Sequence, residues 1–121
     1  MTVPLAAAIP HLPTPPAPAP PGAPGPFALA DRARTLGLLA GAGFVDVAAE
    51  AVDASLAFAG GADLDTAVAL ALQVGPCGVA LREHPAAVEP VRGAVREALA
   101  RHLTDGVVSL RGAAWVYTAR A

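Results

Sequence analysis

The chain has 121 residues, 13 prolines and a formal net charge of -2, and all eight of its basic residues are arginine. This length fits one domain. The arginines form no basic stripe or polybasic arm of the kind that binds nucleic acid or an anionic membrane surface, so we expect neither nucleic acid nor a membrane among the partners.

The cysteine content and the apolar segments predict a cytoplasmic protein. Cys77 is the only cysteine and cannot form a disulfide within the chain, so a reducing compartment is the default. The apolar run at residues 1–9 lacks the positive charge that begins a signal peptide, and Pro10 follows it at once. Later apolar stretches are interrupted well short of membrane-spanning length.

The sequence divides near residue 26. Ten of the 13 prolines lie in residues 1–26, which predicts an extended, polyproline-like segment. The segment also contains apolar residues, namely Val3, Leu5, Ile9 and Leu12. A solvated linker does not need such side chains, whereas a segment that packs on a neighbouring core does. We therefore expect a proline-rich segment at 1–26 and a folded region at 27–121.

The folded region begins with a predicted helix and a long strand. Asp31 is a candidate N-cap for a helix at 32–41 that Gly41 and Gly43 end. Apolar and polar residues alternate from 44 to 58, which predicts a strand. The apolar phase slips between Glu50 and Asp53, indicating a bulge in one strand or a bend between two.

A helical cap is predicted at 63–103. Asp63 or Asp65 can cap a helix that runs to about Val74, and a short helix follows at about 77–83. The last cap helix is predicted at 87–103, with four apolar residues one turn apart on its buried side: Val91, Val95, Leu99 and Leu103.

A terminal β-hairpin is predicted to close the chain. Its strands are expected at 107–110 and 113–120, with a turn at Arg111-Gly112. Trp115 and Tyr117 share one face of the second strand, where aromatic side chains most often pack into a core.

Four segments together resemble one protein family. They are the run from Gly25-Pro-Phe-Ala-Leu-Ala to Asp31, the helix ending in Gly-Phe-Val-Asp-Val47, the stretch Gly60-Gly-Ala-Asp-Leu-Asp-Thr-Ala-Val68, and the ending Leu110-Arg-Gly-Ala-Ala-Trp-Val-Tyr-Thr-Ala-Arg120. In order and spacing they are similar to the C-terminal portion of class I S-adenosylmethionine-dependent methyltransferases, most of all the ubiquinone and menaquinone biosynthesis branch. Residues 1–16 resemble the substrate-proximal helix and loop of that family.

The resemblance implies an α/β fold, here the C-terminal part of a doubly wound Rossmann-like sheet. Strands at about 44–58 and 113–120 would form an antiparallel edge, with the helical cap beside or over the active site, so the isolated chain would be α+β. The implied reaction transfers a methyl group from S-adenosylmethionine to a small organic acceptor. A cap serves such chemistry by orienting the acceptor and excluding water.

The cofactor-binding half of the family pattern is missing from the sequence. Members hold the cofactor with a Gly-rich loop after a strand and with an acidic residue that binds the ribose hydroxyls. Gly41-Ala-Gly43 is the only G-x-G string, and it follows a helix, where glycine most often serves as a stop. We therefore expect a fragment without cofactor-binding residues, inactive alone.

No catalytic or metal-binding residue can be assigned from the sequence. His11, His84 and His102 lack metal-ligand spacing. Structural or solvated roles are favoured for His84 and His102, while His11, between two prolines, is kept as a candidate for substrate contact.

The remaining reactive and charged side chains also favour structural interpretations. Cys77 has no flanking cation and is expected to be an inert thiol. Arg92 and Arg96 could grip an anion, but a solvated helix face near Glu89 and Glu97 is the favoured interpretation. Ser55 and Ser109 belong to no nucleophile motif.

Two alternatives remain open. The chain could be a non-catalytic binding module or a subunit derived from such an enzyme, or an unrelated small α+β domain. An isolated sheet edge would leave Val45, Val47 and Trp115 poorly covered. That surface would favour self-association or a partner chain.

Overall fold

A computed structural model describes residues 2–121 as an α+β fold with five α-helices and three β-strands. The helices are α1 Val3–Ala8, α2 Arg32–Gly41, α3 Leu64–Gln73, α4 Gly75–Glu83 and α5 Val88–Ala100. The strands are β1 Val45–Ala57, β2 Leu103–Thr104 and β3 Val107–Arg120. Short 3-10 helices occupy Ile9–His11, Phe58–Gly61 and Pro85–Ala87.

The strands form one antiparallel sheet in the order β1-β3-β2. An ion pair joins Asp46 near the start of β1 to Arg120 at the end of β3. At the opposite end of β1 and β3, the Ser55 and Ser109 hydroxyls are 2.6 Å apart. β1 is uninterrupted, so the phase slip predicted between residues 50 and 53 does not divide it into two strands.

Contacts divide the chain into two units. The first unit joins residues 1–17 to 55–110, and the second joins residues 18–54 to 111–121. The proline-rich segment is therefore divided between the two units, with the division between residues 17 and 18. Composition had predicted a boundary near residue 26.

The core of the first unit is apolar and mainly helical. Its fully buried side chains include Val91, Val95 and Leu99 of α5 and Val108 of β3. α1 packs on α5 and α4, and Ala8 and Leu12 join the same buried cluster. Of the four N-terminal apolar residues expected to cover a core, Leu12 lies in the buried cluster and Val3 packs against it, so the expectation is confirmed for these two.

The extended path predicted for residues 1–26 is wrong for residues 3–11, which are helical. Pro4 lies in the first turn of α1 and Pro10 in the first turn of the 3-10 helix. A first-turn residue needs no intrahelical N–H bond, so proline is tolerated there. The apolar packing of α1 then outweighs the weak propensity of so short a helix.

Two helix starts follow the sequence prediction. The carboxylate of Asp31 accepts a hydrogen bond from the Arg34 N–H at the start of α2, and that of Asp63 accepts one from the Thr66 N–H at the start of α3. α2 has the predicted bounds of 32–41. Each cap satisfies an N–H that has no intrahelical partner.

The last cap helix and the final turn differ from their predictions. α5 ends at Ala100, and Leu103 lies in β2 with 42% of its surface exposed. The turn falls at Asp105-Gly106, where both residues have positive φ, and not at Arg111-Gly112, which lies inside β3. Asp-Gly suits a two-residue turn with positive φ at both positions, so the chain reverses there.

No single helix within residues 2–121 is both long enough and apolar enough to cross a membrane. Leu64–Gln73 and Gly75–Glu83 satisfy the length and composition only when taken together, and they meet at a 59° bend.

Candidate functional site

A groove lies along α1 and α5 in the first unit. Its volume is about 420 Å³. Its floor is built from small residues of the two helices, Ala6, Ala7, Ala94 and Ala98. Polar groups stand at its rim, where Glu97 and Arg101 form an ion pair of 2.6 Å and His102 is exposed.

The groove forms because alanines face each other across two packed helices. Ala94 and Ala98 are one turn apart on α5, on the side next to the fully buried Val91 and Val95. Larger side chains at these two positions would fill the space above α1. The arrangement offers an apolar floor and a charged rim to a small organic molecule.

A second concavity, called here the aromatic cleft, lies in the second unit. Its volume is about 340 Å³. One wall is the segment before α2, including Phe27, Leu29 and Ala30. The other wall is one face of β3, including Ala113, Trp115 and Tyr117, whose alternating positions point the same way on a strand.

The aromatic prediction for β3 is only partly correct. Tyr117 is half-buried, and its hydroxyl donates a hydrogen bond of 3.0 Å to the Leu29 carbonyl. Trp115 keeps 38% of its surface exposed, so it is not a core residue. The guanidinium of Arg32 lies 5.8 Å from the centre of its ring, a cation–π distance.

The histidines lie on three different elements. His11 ends a 3-10 helix and is exposed, and His84 is half-buried at the C-cap of α4. His102, rather than His11, is among the residues that line the groove. Within residues 2–121 no three His, Cys, Asp or Glu side chains are grouped to hold a metal ion.

Sequence reasoning passed over His102 because helical spacing placed it on or beside the buried face of a longer helix. The end of α5 at Ala100 brings it to the groove rim instead. The Asp105-Gly106 dipeptide was the available signal, since a hairpin turn there requires the helix to end earlier.

The Cys77 thiol is buried within the first unit. Burial raises the pKa of this thiol above its ordinary value because the thiolate would lose its hydration. A raised pKa leaves less nucleophile at neutral pH, in agreement with the inert role expected from the sequence.

The serine and arginine candidates are occupied by structural partners. Ser55 and Ser109 share a hydrogen bond with each other across two strands. Arg92 pairs with Glu89 at 3.5 Å, and Arg96 pairs with Asp65 of α3. The solvated-face interpretation is confirmed for both arginines, although the partner of Arg96 is on another helix and is not Glu97.

The G-x-G string does not fit S-adenosylmethionine. Gly41 is the last residue of α2, Ala42 caps the helix, and Gly43 has φ of +92°. A cofactor loop of this kind would follow a strand and open a helix with its N–H groups directed at the ligand. This string closes a helix, as expected from the sequence.

Comparisons with protein-family models, with curated proteins and with solved structures find no significant match for this chain.

Proposed function

We propose that this chain is the C-terminal portion of a class I S-adenosylmethionine-dependent methyltransferase and supplies the acceptor-binding cap and one edge of its sheet. The observation that carries the proposal is the packing of α1 on α5. It brings the segment that resembles the substrate-proximal helix against the cap and leaves the alanine-floored groove on that pair of helices.

The strand arrangement supports the same proposal. The resemblance implies that the two long strands pair antiparallel with the cap helices between them in sequence, and β1, α3–α5 and β3 have that order and pairing. The apolar surface of this pair is also poorly covered, since Val45 is 51% exposed. In a larger α/β domain, helices packed on the faces of the sheet would cover such residues.

Under this proposal the groove binds the methyl acceptor, a small organic molecule. The alanine floor would contact its apolar part, and His102 or the Glu97–Arg101 pair would contact a polar group at the rim. Under the same proposal the cofactor would be bound by residues outside this chain, since the only G-x-G string of the chain closes a helix.

The first test is the DNA sequence upstream of the Met1 codon, read in frame. We expect an open frame that encodes a strand, a Gly-rich loop and a helix, and we expect its full product to bind S-adenosylmethionine in calorimetry. The 121-residue chain alone should give no binding heat. A stop codon just upstream with no such frame nearby would refute the proposal. Cofactor binding by the short chain would contradict the placement of the cofactor site outside it.

A second test addresses the groove in the full-length product. Ala98→Phe should fill the groove and raise the KM for the acceptor at least tenfold, while the affinity for S-adenosylmethionine stays unchanged. Ala100→Phe is the matched control, because Ala100 lies on the exposed side of α5 and does not line the groove. Equal KM values for the two variants would show that the groove does not bind the methyl acceptor.

The second candidate function is a non-catalytic binding module or a subunit that completes a partner chain. The exposed apolar residues of the second unit favour it, since they mark interaction surfaces in folded proteins. A module that stands alone should be monodisperse in sedimentation and unfold cooperatively. A severed enzyme domain should self-associate or melt without a clear transition.

A further inference from the structure

The aromatic cleft has features of a ligand site that the methyltransferase proposal leaves unused. Phe27 is 67% exposed and Trp115 is 38% exposed, and both line the same cleft. Aromatic rings in a core are normally well buried because their apolar area is large. Two accessible rings in one cleft instead offer apolar surface to the ring of a ligand.

The wall that carries Phe27 is held in place from two sides. The Arg34 guanidinium donates a hydrogen bond to the Ala28 carbonyl at 3.1 Å. The Thr35 hydroxyl, on a buried residue, and the Tyr117 hydroxyl both donate to the Leu29 carbonyl, at 3.3 and 3.0 Å. The cleft is therefore formed before any ligand arrives, which lowers the entropic cost of binding.

One guanidinium lies beside an aromatic ring of the cleft, although Arg32 itself does not line the cleft. Arg32 stands over the Trp115 ring, and no ion pair within residues 2–121 engages Arg32. The nearest acidic residue in sequence, Asp31, directs its carboxylate to the Arg34 backbone N–H as the helix cap. An anion bound beside the Trp115 ring would meet a guanidinium that these ion pairs leave unengaged.

We propose that the aromatic cleft binds a small flat aromatic compound with an anionic substituent, such as an aryl carboxylate. Its ring would lie against Phe27 and Trp115, and its anionic group would pair with Arg32. The volume of about 340 Å³ is near the lower end for ligand pockets, which limits the ligand to one or two fused rings. The proposal does not depend on the methyltransferase assignment, because groove and cleft lie in different units.

The fluorescence of Trp115 tests this proposal directly, because Trp115 is the only tryptophan in the chain. The probe is 2-naphthoate, titrated into the 121-residue protein, with its neutral analogue 2-naphthamide alongside. We expect saturable quenching of Trp115 by 2-naphthoate after correction against free N-acetyltryptophanamide. Quenching that rises linearly, as for the free indole, would overturn the proposal.

Three variants distinguish the cleft from general hydrophobic adsorption. Phe27→Ala should weaken 2-naphthoate binding at least tenfold, and the high exposure of Phe27 means that the core is unaffected. Arg32→Gln should weaken 2-naphthoate binding about tenfold and leave 2-naphthamide unchanged. Val116→Ala is the control, since Val116 is exposed on β3 but does not line the cleft.

Two results would refute the small-ligand assignment even if quenching occurs. Equal effects of Phe27→Ala and Val116→Ala would show that the probe does not occupy the cleft. A shift of Trp115 emission with protein concentration in the absence of probe, matched by dimers in sedimentation velocity, would assign the cleft to a second copy of the chain.

Discussion

Two leucines in and just after α5 differ in burial although their side chains are chemically identical. Leu99 and Leu103 continue one helical spacing in the sequence, yet Leu99 is fully buried and 42% of the Leu103 surface is exposed. The difference arises because the helix ends between them, at Ala100. The two leucines therefore form a natural matched pair for measuring core packing.

Leu99→Ala should lower the free energy of unfolding by about 2–5 kcal/mol, because it leaves a cavity in the core of the first unit. Leu103→Ala should lower it by less than about 1 kcal/mol, since the side chain already contacts water. Urea denaturation followed by circular dichroism measures both. Similar losses would mean that α5 continues to residue 103.

Asp63 links one helix cap to the pH dependence of stability. The hydrogen bond from the Thr66 backbone N–H lowers the pKa of the Asp63 carboxyl below its ordinary value of 3.8. A lowered folded-state pKa stabilises the fold above the unfolded pKa, and this contribution is lost as the pH falls through the folded value.

The stability difference between the wild type and Asp63→Ala should therefore be largest at neutral pH and shrink as the pH falls through the folded-state pKa of Asp63. Urea midpoints measured from neutral pH to about pH 2 give that difference. Asp53→Ala is the control, because it removes an equal charge from a strand and caps no helix. A difference that stays constant down to pH 2 would contradict the capping role.

At the scale of elements, the α3–α4 bend depends on a glycine inside a helix. Gly78 of α4 lies so close to the Gln73 carbonyl at the end of α3 that a Cβ at residue 78 would collide with backbone atoms. Gly93 in the middle of α5 has open space around its Cα. A glycine-to-alanine substitution therefore meets a steric clash in α4 and open space in α5.

Gly78→Ala should destabilise the protein by about 1–3 kcal/mol through overpacking. Gly93→Ala should stabilise it by roughly 0.5–1 kcal/mol, because alanine loses less backbone entropy in a helix. Thermal unfolding of the two variants against the wild type measures the signs. Stabilisation by Gly78→Ala would mean that α3 and α4 do not approach so closely.

For the whole molecule, the two units differ in how well water is excluded from them. The first unit holds nearly all of the buried apolar residues, whereas β1 and β3 in the second unit are exposed along most of their length. Local openings are easier where few apolar contacts are lost. We therefore expect the exposed parts of β1 and β3 to open locally at a lower free-energy cost than the helices of the first unit.

Hydrogen exchange followed by mass spectrometry should therefore show faster exchange for amides of residues 45–54 and 111–120 than for α5. The expected order follows from the burial of Val91, Val95 and Leu99 in α5. Slower exchange of the strands than of α5 would indicate that another chain or a second copy covers them.

Sequence alone determined the features that depend on neighbouring residues. The aspartate caps at 31 and 63, the helix at 32–41, its glycine stop and the strand from 45 to 57 follow from capping, propensity and alternation within a few positions. The functional assignment rests on the resemblance of whole segments and stays a proposal.

Only the tertiary structure decided where those elements meet. It made residues 3–11 helical because α5 offers an apolar surface, and it left Trp115 accessible because few residues cover β3. It also formed the groove and the aromatic cleft from residues far apart in sequence. Such long-range packing has no short-range pattern, so a single sequence does not reveal it.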